Sequence, residues 1–145
     1  MTLSKEECRE IIARRVAQEF SEGDVITLGI GLPTEVANHL PPHLHVVFQS
    51  ENGLLGVGHR DLAAGENPKI TNAGGIAVTT KTGAAFFDSQ LSFAMIRGGH
   101  VDATVLGALQ VDQQGNLANW MVPGVFVPGM GGAMDFVVGA KRVII

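Results

Sequence analysis

Short apolar runs alternate along this chain with segments of helical periodicity, and that alternation limits its fold more than any other feature. Residues 25–28, 45–49, 76–79 and 103–106 read as strands, and residues 142–145 begin another. The intervening pieces carry helix signals. Ser4 and Glu7 have capping-box spacing, Cys8, Ile12, Val16 and Phe20 recur every four residues, and Gly23 stops the pattern, which predicts a helix over 5–20. A short helix is expected over 33–40 with Pro33 in its first turn, and another over 88–97 capped by Asp88. Gly129-Met130-Gly131-Gly132 opens a last short helix. The stretch 53–68 reads as a glycine-rich loop long enough to point to a function, Asp112 to Gly115 as a turn, and 117–127, which holds Trp120, has no assigned class. Strands alternating with helices predict an α/β sandwich around a largely parallel sheet.

Length fits a single domain over residues 1–145. Its 19 glycines and 17% charged residues depart from usual proportions of about 7% and about 25%. So few charges leave little to cover the outside, which points to a large surface buried against a partner, with a glycine-rich rim accounting for part of it. The net charge of −4, with no basic cluster longer than Arg14-Arg15, argues against a nucleic-acid partner. No run of 18 apolar residues and no basic, then apolar, leader is present, so neither a membrane span nor export is expected. The single Cys8 forms no intrachain disulfide and fits a reducing, cytoplasmic setting. Because the chain ends on Val143-Ile144-Ile145, a buried strand without a polar cap, the sequence reads as part of a longer polypeptide.

Ser50-Glu51-Asn52-Gly53 places a carboxylate at the exit of the second strand and follows it with glycine. In open parallel sheets, ligands bind beyond the carboxyl ends of the strands, where Glu51 would stand. Alone, it reads better as a solvated loop carboxylate or a cap for the next element than as a functional group. Three glycine turns, Gly29 to Gly31, Gly53 to Gly58 and Gly129 to Gly132, change its company. Each taken singly is a tight turn, yet glycine amides can also face an oxyanion. A carboxylate beside such turns can act as a covalent nucleophile, and attack on a thioester would give a mixed anhydride and a thiolate.

Rival chemistries lack their residues. There is no phosphate loop ending in Gly-Lys-Ser/Thr, Thr34 stands where a dinucleotide fingerprint needs its third glycine, and no Ser occupies a G-x-S-x-G frame. His43 and His45 alternate on a strand edge, but no nearby Cys or carboxylate completes a set of three or four ligands, so no metal is expected. His100 reads as a hydrogen-bonded structural residue.

Five segments together, 50–56 (SENGLLG), 29–33 (GIGLP), 96–100 (IRGGH), 116–120 (NLANW) and 129–135 (GMGGAMD), resemble the B (β) subunit of family I CoA-transferases, the group of the 3-oxoacid and acetate/butyrate-acetoacetate enzymes. The resemblance runs from the first helix to residue 145. It implies the NagB/RpiA-like architecture, with Glu51 as the nucleophile of a ping-pong reaction that passes CoA through a glutamyl-CoA thioester. It also implies Gly132 as a backbone donor near the thioester carbonyl, with Gly131 beside it, Gly29 and Gly31 shaping the pocket, and Asn52 and Gly53 flanking the nucleophile. Coenzyme A is then a substrate and no cofactor is expected. The implied partner is an A (α) subunit in a hetero-oligomer, with acyl-CoA and carboxylic acids as substrates. Members of this β-type group continue past this chain's last residue, and residues 59–68 depart from the family's usual run, a difference expected to tune acid specificity. Two other functions stay open on the residues: a non-catalytic module that binds a small acid or CoA ester, and an acyl-CoA hydrolase in which Glu51 activates water.

Overall fold

A computed structural model describes residues 3–58 and 67–145. The loop segment expected to tune acid specificity lies mostly outside the described residues. Six strands form one sheet: β1 (Val25–Leu28), β2 (Val47–Ser50), β3 (Leu54–Val57), β4 (Thr80–Phe86), β5 (Ala103–Val105) and β8 (Arg142–Ile144), in the order β4-β3-β2-β1-β5-β8. The four strands β2, β1, β5 and β8 run parallel, and β3 and β4 fold back antiparallel beyond β2. A two-stranded hairpin, β6 (Gln110–Val111) and β7 (Leu117–Ala118), stands apart from this sheet, its turn built on Asp112, whose carboxylate accepts from the Gln114 and Asn116 amides.

Helices cover both faces, as the alternation of strand side chains requires. Ile26, Phe48, Ala103 and Val105 point to one face and pack against α1 (Lys5–Ala17) and the 3₁₀ turn Val36–His39 that continues α2 (Leu32–Glu35). On the other face, α3 (Ser89–Arg97) and α4 (Ala133–Gly139) close over Val25, Val101 and Leu106 with Ile96 and Phe136. The predicted capping box of α1 is formed: Ser4 Oγ accepts from the Glu7 amide and the Glu7 carboxylate accepts from the Ser4 amide. Its buried stripe is rotated from the predicted one. Ala13, Val16 and Ala17 are buried and Phe20 follows them, whereas Cys8 and Ile12 face outward.

Two strand predictions need correction. Leu54–Val57, expected within a loop, is a strand because its glycines serve the sheet: Gly56 has φ +87° where a Cβ would stand 3.1 Å from Ala84. Gly53, at φ +108°, lies so close to Phe87 that a Cβ would fall 1.8 Å from its carbonyl oxygen. Glycine here marks close backbone approach within a sheet. The strand expected over 76–79 begins instead at Thr80, and of that stretch only Ala77 makes an isolated bridge, to Thr71. β4 lacks an apolar alternation to announce it, since most of Thr80–Phe86 is exposed.

Beneath the carboxyl ends of the parallel strands runs a buried polar row. Gln49, Thr27 and Thr104 are paired neighbours on β2, β1 and β5. Thr27 Oγ1 donates to Gln49 Oε1 at 2.5 Å, and Gln49 Nε2 donates to Ser92 Oγ of α3 at 2.6 Å. Among the described residues, Thr104 Oγ1 is buried without a partner. The pair gives opposite expectations. Thr104→Val removes a desolvated hydroxyl and should stabilise by about 1 kcal/mol, whereas Thr27→Val leaves Gln49 Oε1 unsatisfied and should cost about 1–3 kcal/mol, both read from urea denaturation. Loss of stability in Thr104→Val would show that the hydroxyl is engaged.

Candidate active site

Glu51 follows directly on β2 and reaches into a cleft of about 320 Å³ over the carboxyl ends of β1 and β5. The cleft is walled by Gly29 and Ile30 after β1, Leu106 and Gly107 after β5, the turn 72–74, and Met130 to Gly132 ahead of α4 with Ala133 at its start. Among the described residues, Glu51 is the only charged one lining it. Half-buried, the carboxylate has no hydrogen-bond or ionic partner among the described residues, and burial alone pushes its pKa up. A carboxylate held this way is poorly solvated and, among the described residues, unpaired.

Gly132 stands against it. A Cβ at Gly132 would lie 2.9 Å from Glu51 Oε2 and equally close to the Phe93 ring, so only glycine leaves the carboxylate its present place. No acceptor among the described residues engages the Gly131 or Gly132 amide. Phe93 packs on Phe136 with ring centroids 6.1 Å apart, and Arg97 lies over Phe93 while donating to Asp135 Oδ1 at 3.0 Å. Segments 96–100 and 129–135 are thereby tied together. Asn119, from the segment 116–120, also lines the cleft, its side-chain oxygen accepting from the Leu109 amide at 2.9 Å, and the Gly129 amide donates to the Trp120 carbonyl. Four of the five sequence segments thus line one cleft, and the fifth, 96–100, is fastened to it through Arg97 and Asp135.

The remaining predicted residues divide. Gly29 lines the cleft, but its amide donates to the Val105 carbonyl at 2.7 Å and so belongs to the sheet. Its lack of a side chain keeps β1 and β5 close, since a Cβ would meet that carbonyl at 3.0 Å. Gly31 caps α2 outside the cleft lining, with φ +86° and its carbonyl accepting from Thr34. Asn52 and Gly53 are not brought to the cleft. Asn52 Nδ2 donates to the Thr71 carbonyl at 2.8 Å, and the Gly53 amide closes the turn onto the Ser50 carbonyl. Their work is to carry the turn that aims Glu51.

Sequence reasoning missed the segment 71–76. Ser50 Oγ accepts from the Ala73 amide at 2.9 Å, and Asn52 holds Thr71, so the residues on either side of Glu51 anchor one wall of its cleft. The wall's own turn is an Asn signal, with Asn72 Oδ1 accepting from the Gly74 and Ile76 amides. Asn72-Ala73-Gly74-Gly75 has the composition of a turn; its contact with residue 50 leaves no mark in the sequence.

A family model described as coenzyme A transferase matches residues 9–145. The chain is 59% identical over 139 residues to the beta subunit of the acetate CoA-transferase of Escherichia coli K12, covering 96% of this chain and 63% of that one. It is 53% identical over 139 residues to the B-type subunit of the probable succinyl-CoA:3-ketoacid coenzyme A transferase of Bacillus subtilis, covering 96% and 64%. The chain therefore spans somewhat under two thirds of the length of these relatives. Among solved structures, the acyl-CoA transferase YdiF of E. coli O157:H7, crystallised as a thioester complex with CoA, matches with a TM-score of 0.68 at 23% identity, covering 93% of this chain and 23% of that one. The decarboxylase AibA/AibB matches with a TM-score of 0.66 at 20% identity, covering 93% and 56%. These two likenesses speak for the fold.

Burial of Glu51 has a consequence for stability. Its folded pKa lies above the unfolded value, so stability falls as pH rises past the unfolded pKa and the full cost of the ionised carboxylate is reached above the folded pKa. Glu51→Gln should therefore melt above the parent at pH 7, and the gap should close as pH falls toward the unfolded value of about 4.3. Calorimetry at several pH values reads this directly, and a lower Tm for the variant at pH 7 would mean that the carboxylate is favourably paired.

Proposed function

The chain belongs to the coenzyme A transferase family, on the side of its B (beta) subunits, and we propose that with an A-type partner it moves CoA between an acyl-CoA and a carboxylic acid, Glu51 being the covalent nucleophile. One observation carries this reading: among the described residues, the only charged group in the cleft is an unpaired, partly desolvated carboxylate lying against a glycine whose amide is unengaged.

A Glu51 oxygen attacks the thioester carbonyl carbon, and the tetrahedral oxyanion collapses by breaking the carbon–sulfur bond. CoA leaves as thiolate and the acyl group stays on Glu51 as a mixed anhydride. The thiolate then attacks the Glu51 carbonyl carbon, which releases the first acid as its carboxylate and leaves a glutamyl-CoA thioester. An incoming carboxylate attacks that thioester and expels the thiolate. Attack of the thiolate on the new acyl carbonyl yields the product acyl-CoA and frees Glu51. No net proton is exchanged and nothing is oxidised, so the chain needs no cofactor for these steps.

The Gly132 amide, with Gly131 beside it, is the donor for the oxyanion, a contribution typically worth about 100- to 1,000-fold in rate. Burial of Glu51 raises its ground-state energy as an anion, and that cost is relieved as its charge passes to the acyl oxygen. Binding energy from distant parts of CoA holds the thioester in reach. The relatives are named as beta-type and B-type subunits, which supports the need for an A-type partner. Among the described residues no helix is long and apolar enough to cross a membrane.

The kinetic expectation separates covalent attack from looser roles. In the assembled enzyme, Glu51→Gln should lower transfer by at least about 10,000-fold, and Glu51→Asp, which withdraws the carboxylate by one methylene, by about 100-fold or more. Parental rates in Glu51→Gln would refute the mechanism. CoA release from acyl-CoA without an acceptor acid, at the transfer rate, would identify hydrolysis instead.

A further inference from the structure

The glycine turn that faces Glu51 also bears on an aromatic ring. A Cβ on Gly132 would fall 2.9 Å from Glu51 Oε2 and 2.9 Å from both Cε1 and Cζ of Phe93. Carboxylate and ring together fill the space that a side chain at 132 would take, so both of them set where the turn can stand. Gly131 and Gly132 line the cleft, whereas Phe93 is not a lining residue. Whatever the ring does to a bound thioester, it does through the turn.

The ring itself is closely held. Its neighbour Ser92 fastens α3 to the sheet by accepting from Gln49 Nε2 at 2.6 Å, and Asp88 Oδ1 caps the helix by accepting from the Leu91 amide at 2.7 Å. Phe93 and Arg97 are four residues apart on α3, and Gly132 and Asp135 three apart across the first turn of α4, spacings that put each pair on one helix face. One turn of each helix therefore meets the other twice, ring against Gly132 and Arg97 Nη1 donating to Asp135 Oδ1 at 3.0 Å. The Arg97 guanidinium also lies 5.9 Å over the Phe93 ring, and Phe136 packs on it with centroids 6.1 Å apart. At the far end of α4, a Cβ on Gly139 would fall 2.3 Å from the Ile96 carbonyl oxygen, so the two backbones bear directly on each other there. Arg97 and Asp135 are partly exposed, and such pairs add little to stability. What this pair fixes is the seat of the ring against the turn.

We propose that Phe93, kept in place by the Arg97–Asp135 pair, is a positioning residue that sets how far the Gly131-Gly132 turn stands from Glu51 and thereby the rate of the chemical steps. The inference rests on the reading of Gly132 as the oxyanion donor beside a nucleophilic Glu51. Phe93 touches neither substrate nor reacting atoms; its ring is the stop that keeps the donor in register with the carboxylate.

Transfer is measured in the assembled enzyme, with butyryl-CoA as donor and acetate as acceptor, for the parent, Phe93→Leu, Gly132→Ala and the double variant. A displacement of about 1 Å can cost about 100-fold in rate, so Phe93→Leu, which removes the ring edge and frees the turn to shift by part of that, should lower kcat at least about tenfold. KM for butyryl-CoA should change less than about twofold, because the ring does not meet the substrate. Gly132→Ala should lower kcat about 100-fold. Since Phe93 acts through Gly132, adding Phe93→Leu to Gly132→Ala should change kcat by less than about threefold further. A ring that served only the fold would cost the same in both backgrounds. Losses that add in the double variant, an unchanged kcat in Phe93→Leu, or a raised KM with kcat intact would overturn the proposal. If Phe93→Leu does not assemble, Arg97→Gln and Asp135→Asn decide: each should lower kcat about threefold and the two together no further, since they break one contact, and unchanged rates would overturn it. Gly132→Ala working at the parental rate would bring down the donor reading and this proposal with it, whereas an impaired Gly132→Ala with additive losses would bring down the role of Phe93 alone.

Discussion

The register between β1 and β2 is the constraint on which the rest depends. Thr27 faces Gln49 across it, and the hydrogen bonds from Thr27 to Gln49 and from Gln49 to Ser92 lock that pairing inside the protein. A slip of one residue would send Gln49 into the apolar layer of Ile26 and Val36 and turn Glu51 to the opposite side. The same lock fastens α3 to β2. Because α3 also carries Phe93, which touches the Gly132 position, the carboxylate and the glycine turn take their places from one helix.

Much of this was legible in the sequence, for physical reasons that differ from element to element. The parallel strands are short and apolar because helices cover both their faces, and such runs announce themselves. Ser4 and Asp88 marked helix starts through the hydrogen bonds their side chains make. The antiparallel extension was hidden. β3 is interrupted by Gly56, which the sheet uses for close approach to Ala84, and β4 is exposed along most of its length, so neither shows the contrast of apolar and polar positions that periodicity reads.

The site divides similarly. Glu51 was legible because a carboxylate at a strand exit before glycine is an unusual placement, and four other segments supplied its setting. Glycines were harder to sort. Gly53, Gly29 and Gly132 look alike in sequence, yet one meets the Phe87 carbonyl, one keeps two strands together, and one faces the carboxylate. Only the surroundings of the missing Cβ distinguish them. The roles of Ser50 and Asn52 as anchors of 71–76 depend on contacts about twenty residues away, which no local pattern encodes.

A fold shared with both an acyl-CoA transferase and a decarboxylase leaves the reaction to the residues in the cleft. Borohydride trapping tests the assignment of Glu51 most directly. The assembled enzyme is mixed with acyl-CoA without acceptor acid, reduced, digested and weighed peptide by peptide. A thioester on Glu51 predicts acyl-CoA-dependent conversion of that one carboxyl to an alcohol, in the peptide that carries residue 51. Glu51 left unmodified under conditions where CoA is transferred would contradict it.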